Sequence, residues 1–498
     1  KPLSGGQLAG EFTGLVRVKD PEPGSLLTPL DGGTLAPLSV EQPKNTTYQL
    51  FRVRSIPKGS SWATRIGGTD TVHLTALVVA PGGESYIGGD YGDRMNFGFG
   101  QYNAIGKDDA YLAKLDPAGP LLWYRLIVGF QSVCRLHSLA LAPNGDIAVG
   151  GSYSRDVTFD GLGPHPASGL DDLYLARYSS DNELRWVRSG ISGGANDEGT
   201  YGVATDAGGN VLATGSAEDA LNLGRGLIDI PGQQGWYAKW SASGDLLWEH
   251  RIKDNLNKAY GYAIAASASD EPVLIGRAEI TDFGTGLLCA AGNVDTFLVQ
   301  LHPDGEVEWA ASWGGTALDA PTDLAVDQFT GDIYSAGSHT SSFYLAGELL
   351  YASGSSLNAY VVKHDREGVA QWVYRVKTGQ HDYIHQVAVA PSGNVALAGM
   401  YRATFDFGGG ERTPDYFDAY AVQLTAAGDW VWDSQFTGSS VEQAFGIGFD
   451  QLGHVIVAGE FKGTIDFDPG PSSALLSSAS PAYYNLFIVR LQGSTGRF

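Results

Sequence analysis

A tryptophan returns seven times at a nearly constant interval: Trp62, Trp123, Trp186, Trp248, Trp309, Trp372 and Trp432, with spacings between 60 and 63 residues. Repetition on this scale leaves few choices. Each unit is one supersecondary element that cannot bury its own apolar face and has to stack on its neighbours.

Each tryptophan follows a short aromatic, apolar segment ending in Lys, Arg or Gln. These segments are Phe51 to Arg54 before Trp62, then Tyr111 to Lys114, Tyr174 to Arg177, Tyr237 to Trp240 (read as YAKW), Phe297 to Gln300, Tyr360 to Lys363 and Tyr420 to Gln423; Phe487 to Arg490 repeats the segment with no tryptophan after it. Glycine-bearing turns such as DPAG, SASG and HPDG join segment and tryptophan, which is hairpin chemistry. A second hairpin lies between these, with strands such as LALAP (139–143) and IAVGG (147–151), or VAVAP (387–391) and VALAG (395–399). These inner strands hardly alternate in polarity, as expected where both faces are covered. A longer connection follows, typified by FDFGGG (405–410) and IDFDPG (465–470).

Four strands in about 62 residues describe one blade of an all-β propeller. The order is a (innermost, LALAP type), b (IAVGG type), c (YLAK type) and d (the tryptophan strand). No segment keeps a helical apolar period. The 68 glycines and the 11% aromatic content suit tight turns and rings packed between sheets.

Six complete blades run between residues 71 and 440. Strands a, b and c recur at 442–491 with no tryptophan strand after them, and the Trp62 strand can supply the missing d. That join gives seven blades. Residues 7–14 and 48–54, however, look like extra b and c strands, so an eight-blade ring stays open. The division expected is an N-terminal extension over 1–58 and a propeller over 59–498, with self-association through unmatched terminal strands as a further option.

The repeat resembles the bacterial seven-bladed β-propeller repeat of secreted and cell-surface proteins. The likeness rests on DDAYLAKLDPAGPLLW (108–123), VAVAPSGNVALAG (387–399) and TFDFGGG (404–410), and covers residues 60–491. It implies the fold and export to the outer cell surface or medium, and no common reaction. The Trp hairpin is also similar to the repeats of quinone-dependent dehydrogenases, but no cofactor-pocket motif extends that likeness.

The net charge of −23 works against sequence-independent nucleic-acid binding and suits a soluble exterior protein. No apolar run reaches the ~18–20 residues of a membrane span. The start at Lys1 reads as a chain after removal of a leader, or as a fragment of a longer protein. Cys134 and Cys289 hold non-equivalent places in the repeat, which argues against a disulfide between them.

Candidate chemistry sits in the loops before strand a, at one mouth of the axial channel. Asp70, Glu198, Asp319, Asp382 and Glu442 recur there, with His137, Tyr201, Thr322, His385 and Phe445 about three residues on. These acids could ring a calcium ion, or each could close its own loop as a repeated blade part. His137 and His385 would face each other across the channel; with Asp382 they are the catalytic candidates if the protein is an enzyme. His73, His339 and His381 have less support.

Asp160, Asp282, Asp406, Asp466 and Asp468 lack the ligand spacing of a calcium loop and read as turn formers. The Asp or Asn two places before each c-strand aromatic reads as closing the b–c loop. Trp236, Trp240, Trp313 and Trp430, outside the repeat pattern, are candidates with Tyr483 and Tyr484 for an exposed contact surface. Tyr201, His385, Trp236 and Trp313 are the candidate ligand-binding residues.

The expected function is a binding or scaffolding propeller engaging a protein or glycan at the cell exterior. The alternative is an extracellular lyase or hydrolase at the channel mouth.

Overall fold

A computed structural model describes residues 13–19, 34–37, 48–54 and 61–498. Within the last stretch it leaves out 69, 98–100, 160–163, 168–170, 190, 193–197, 255–257, 285, 290, 293, 353–355, 377 and 469–473. Among the described residues there is no helix, and so none long and apolar enough to cross a membrane. The strands form a seven-bladed β-propeller of four-stranded antiparallel blades.

Blade 1 shows the plan: a is Ala76–Val79, b Ser85–Tyr91, c Asp109–Leu115 and d Leu121–Ile127, hydrogen-bonded in that order. Blades 2 to 6 span 134–189, 199–252, 260–313, 319–376 and 383–438. Blade 7 takes a, b and c from 443–491 and d from Trp62–Ile66. The seam is antiparallel, with Trp62 opposite Arg490 and Ile66 opposite Leu486. Each a strand lies against the a strands of both neighbours, and the last of them returns to the first.

The ring leaves no blade short of a strand. Residues 48–54 form a strand as expected, but it pairs with Thr13–Lys19 and Thr34–Pro37 in a separate three-stranded sheet, so the ring is not eight-bladed. Residues 7–12, read as part of an extra b strand, lie outside the described residues.

Apolar clusters fill the spaces between blades. One joins blades 1 and 2 through Leu112, Leu136, Val149 and Tyr174; another joins blades 7 and 1 through Leu77, Ile87, Ile456 and Ile488. The b and c strands are buried along nearly their whole length, which explains their weak alternation. Cys134 is buried with a free thiol.

The repeated tryptophan is less a deep core residue than an outer clasp. Each indole Nε1 donates to a carbonyl in the c–d turn of the next blade: Trp62 to Pro117 (2.9 Å), Trp186 to Ala242 (3.0 Å), Trp372 to Ala426 (3.2 Å). Trp123, Trp248 and Trp309 do the same to Ser180, Pro303 and Arg366. At the seam Trp432 donates to Gly493 (2.8 Å), so 492–498 stands in for the c–d turn of blade 7. The turn glycine has two duties. At Gly119 (φ 97°) and Gly496 (φ 65°) the backbone is left-handed, and any side chain would strike the ring of Trp62 or Trp432.

The Lys, Arg or Gln ending strand c also has a repeated partner. Arg177 meets Asp146 (3.0 Å), Lys239 meets Asp206 (2.8 Å), Lys363 meets Asp332 (2.7 Å) and Arg490 meets Asp450 (3.4 Å), each acid coming from the a–b turn side of the blade.

Candidate functional site

Every a strand begins with an irregularity. In blades 2 to 7 the register against strand b slips by one residue at His137, Tyr201, Tyr262, Thr322, His385 and Phe445. Thr75 holds the matching place in blade 1. A bulge re-aims the side chain it carries, and these seven residues line one axial channel of about 240 Å³. Two further layers follow along the same strands, among them Ser138, Asp323, Gln386, Leu77, Leu139 and Leu324.

The bulge explains a glycine that every b strand carries after two or three apolar residues. At Gly89, Gly151, Gly215, Gly276, Gly399 and Gly459 a Cβ would run into the carbonyl of the a-strand residue two places before the bulged one. A c-strand aromatic fills the other side of that glycine. Tyr111 even donates from its hydroxyl to the carbonyl of His73 (2.7 Å), and Tyr420 to that of Tyr383 (3.0 Å).

The channel belt is five aromatic rings and two threonines. His137 Nε2 lies 2.9 Å from Ser152 Oγ, and its ring is 5.3 Å from that of Tyr201. Tyr201 stacks on Tyr262 with centroids 6.5 Å apart. His385 lies between Tyr383 (5.7 Å) and Phe445 (4.6 Å), and its Nε2 has no hydrogen-bond partner. Burial pushes both imidazoles down to about 4, with the charge of Arg135 adding to the effect at His137, so both are neutral at ordinary pH. One layer deeper, Asp323 accepts from the amide of Val387 in the next blade (2.9 Å), and burial pushes its carboxyl up to about 7.

The structure therefore brings Tyr201, His137, His385, Thr322 and Phe445 together in one channel, as their repeat position predicts. It does not bring the five acids together. Asp70 accepts from the amide of Thr71 (2.7 Å), Glu198 from Glu218 (2.8 Å) and Asp319 from Gly315 (2.6 Å). Asp382 accepts from both the amide (2.8 Å) and the hydroxyl (2.7 Å) of Thr378. Glu442 is sealed beside Asp418; burial first and that charge second push its carboxyl up to about 8. They stand in separate blades, and among the described residues no three His, Cys, Asp or Glu side chains converge as a metal site.

The aromatic contact candidates also divide. Trp236 and Trp240 are fully buried and Trp313 is buried, its indole donating to Tyr360 Oη (2.8 Å), so none of the three presents an exposed surface. The physical reason at Trp236 is register: it faces Gly215, which is the place of the c-strand aromatic, and Lys239 is the cation that follows. The repeat in blade 3 is WYAK, one residue earlier than YAKW. Trp430 and Tyr483 are exposed, and Tyr484 is half-buried under the ammonium of Lys462.

His73 pairs with Glu460 (3.3 Å), His339 Nδ1 with the carbonyl of Ser341 (2.9 Å), and His381 Nδ1 accepts from the amide of Leu357 (3.4 Å). The b–c aspartates behave as turn formers. Asp406 accepts from Gly408 and Gly410 (both 2.8 Å), Asp282 from Gly284 (2.8 Å) and Asp466 from Asp468 (3.0 Å). Asp160 lies outside the described residues. The loop-closing reading also holds at Asp109, Asp295 and Asn485, which accept from the amides of Ile105, Ala291 and Ala479.

One mouth residue escaped sequence reasoning. The b-strand position after the packed glycine is Asp90, Ser152, Ser216, Arg277, Ser338, Met400 and Glu460 in successive blades, and it backs the bulged channel residue. Its only signal is a lone Arg in a place that is otherwise small, apolar or acidic.

No family model matches the chain, and no curated protein matches it in sequence. Similar solved structures include RRP9 WD40 repeats, at 10% identity and TM-score 0.45 over 86% of this chain and 96% of that one. Virginiamycin B lyase from Staphylococcus aureus is similar at 9% identity and TM-score 0.44, over 87% and 99%. A protein of unknown function from Dyadobacter fermentans is similar at 13% identity and TM-score 0.41, over 71% and 94%. These likenesses concern the path of the chain and say nothing about activity.

Proposed function

We propose that this protein is a binding propeller of the bacterial cell exterior, presenting one face of a rigid disk to a protein or glycan. The strand directions put the b–c and d–a loops on one face and the a–b and c–d turns on the other. The a–b turns are short and alike, whereas the b–c connections differ in length from blade to blade. The b–c connections carry the exposed large apolar side chains Ile105, Leu227, Tyr344, Leu349, Tyr351 and Tyr416, whereas the turn face exposes Phe329, Val369 and Leu452. That pairing of an invariant frame with a varied, aromatic-bearing face is the observation that carries the reading.

The reading as a lyase or hydrolase draws less support, since Asp382 is engaged by Thr378 in its own loop and the two histidines stand on blades 2 and 6. Self-association through the terminal strands loses its motive, because the Trp62–Ile66 strand completes blade 7 within the chain.

The test is capture from a glycan array and from a panel of purified envelope proteins, with a Tyr344→Ser/Tyr351→Ser/Tyr416→Ser variant beside the unaltered chain. Binding that falls at least tenfold in the variant supports the proposal. Turnover of a polysaccharide or ester that His385→Ala abolishes would overturn it.

A further inference from the structure

We infer that the channel mouth at blade 4 is a binding site for a carboxylate carried on a ring, with Arg277 as its anchor. The inference rests on the proposal that the loop face is a binding surface, and adds what the channel opening in that face would take.

Arg277 Cζ lies 4.5 Å from the ring centre of Tyr260 and 5.3 Å from that of Tyr262. Tyr262 is itself one of the seven bulged channel residues. The two rings hold the guanidinium behind the channel belt, yet give it nothing to donate to. Its Nε is shut off from solvent with no acceptor, and among the described residues no carboxylate lies within ion-pair distance of it.

Four buried or half-buried cations at the ends of the c strands are paired: Arg177, Lys239, Lys363 and Arg490 each meet an aspartate. In a chain of net charge −23, an unpaired guanidinium held in place by stacking is a prepared anion site. The acids at the matching ring position, Asp90 and Glu460, belong to blades 1 and 7, the blades farthest from blade 4 around the ring. Glu460 is occupied there by His73 and by the amide of Leu74.

The ring requirement comes from the channel that Tyr262 lines with the other bulged residues. Tyr262, Tyr201 and Phe445 offer apolar faces, and Thr75, Thr322, Ser138 and Gln386 offer polar edges, around a channel sized for one ring rather than a chain of them. A hexuronate and an aromatic acid share this chemistry, a carboxylate for the fork and a ring face to pack on the belt.

Titration calorimetry of the full chain with D-glucuronate, benzoate and D-glucose tests the site. Arg277→Gln should weaken the acid at least tenfold, with Arg277→Lys in between because it keeps the charge and loses the fork. In the unaltered chain with arginine side-chain nitrogens labelled, the Arg277 Nε–H resonance should move downfield on adding the acid. That readout needs no variant to fold. Binding of glucuronate alone identifies a sugar acid, and binding of benzoate alone an aromatic one.

Absence of binding by either acid, glucose binding as well as glucuronate, or an unmoved Nε–H would overturn the inference. The tyrosine variants of the loop face leave Arg277 untouched, so failure here and failure of the wider proposal are separable.

Discussion

Trp236 stands directly opposite Gly215 in blade 3, the same relationship that Tyr111 has to Gly89 and Tyr420 to Gly399. The aromatic closes one side of the glycine while the bulged a strand closes the other, and that sandwich fixes where the channel side chains point.

The glycine is thus a packing requirement. At Gly399 a Cβ would meet the carbonyl of Tyr383, with the Tyr420 hydroxyl close by. Gly399→Ala should cost about 3 kcal/mol, as overpacking of a rigid core does. Denaturant unfolding measures it; a loss under about 0.5 kcal/mol, the range of neutral surface changes, would contradict the packing account.

The Trp clasp should contribute more modestly. Trp432→Phe keeps a ring against Gly496 but loses the bond to Gly493. A loss of about 1 kcal/mol is expected, the usual net worth of one hydrogen bond. Calorimetric melting of variant and unaltered chain compares them.

The blade frame was legible because its signals are local. The Trp interval marks one indole bond per blade, and the Gly-bearing turn marks the surface that indole rests on. Blade 3 misled because two aromatics adjoin; only the partner glycine on strand b tells Trp236 from Tyr237. The channel belt was partly legible, through His137, Tyr201, Thr322, His385 and Phe445 in repeat-equivalent positions. The acids at the d–a loops were equally periodic, yet Asp70, Asp319 and Asp382 serve their own loops and Glu198 the neighbouring strand b. Periodicity marks a blade part and does not say which way a side chain points. Arg277 stayed hidden because its neighbours Tyr260 and Tyr262 belong to strand a, across the hairpin.

Buried pairs at the ends of the c strands predict a large effect. Lys239 and Asp206 are both sealed from solvent at 2.8 Å. Lys239→Met leaves Asp206 a buried anion without its cation and should cost about 3–5 kcal/mol. Replacing both, as Lys239→Met/Asp206→Leu, should recover much of that loss. Urea unfolding of the single and double variants decides; equal losses would contradict the pairing.

Glu442 gives a pH signature with a definite sign. Its carboxyl is raised from the ordinary 4.5 to about 8, chiefly by burial and then by Asp418. Between those values the folded chain holds a proton that the unfolded chain releases, so stability is full at low pH and falls as pH rises toward 8. Glu442→Gln should match the unaltered chain below pH 4.5 and gain on it progressively up to about pH 8. Melting curves across that window test it; a difference independent of pH would refute the assignment.

All of these rest on one closed ring, sealed where Trp62–Ile66 lies beside Asn485–Leu491. Hydrogen–deuterium exchange read by mass spectrometry on the 62–66 segment is the most direct measurement. Ring closure predicts protection comparable to strands b and c of the other blades. Exchange as fast as the exposed loops would contradict it.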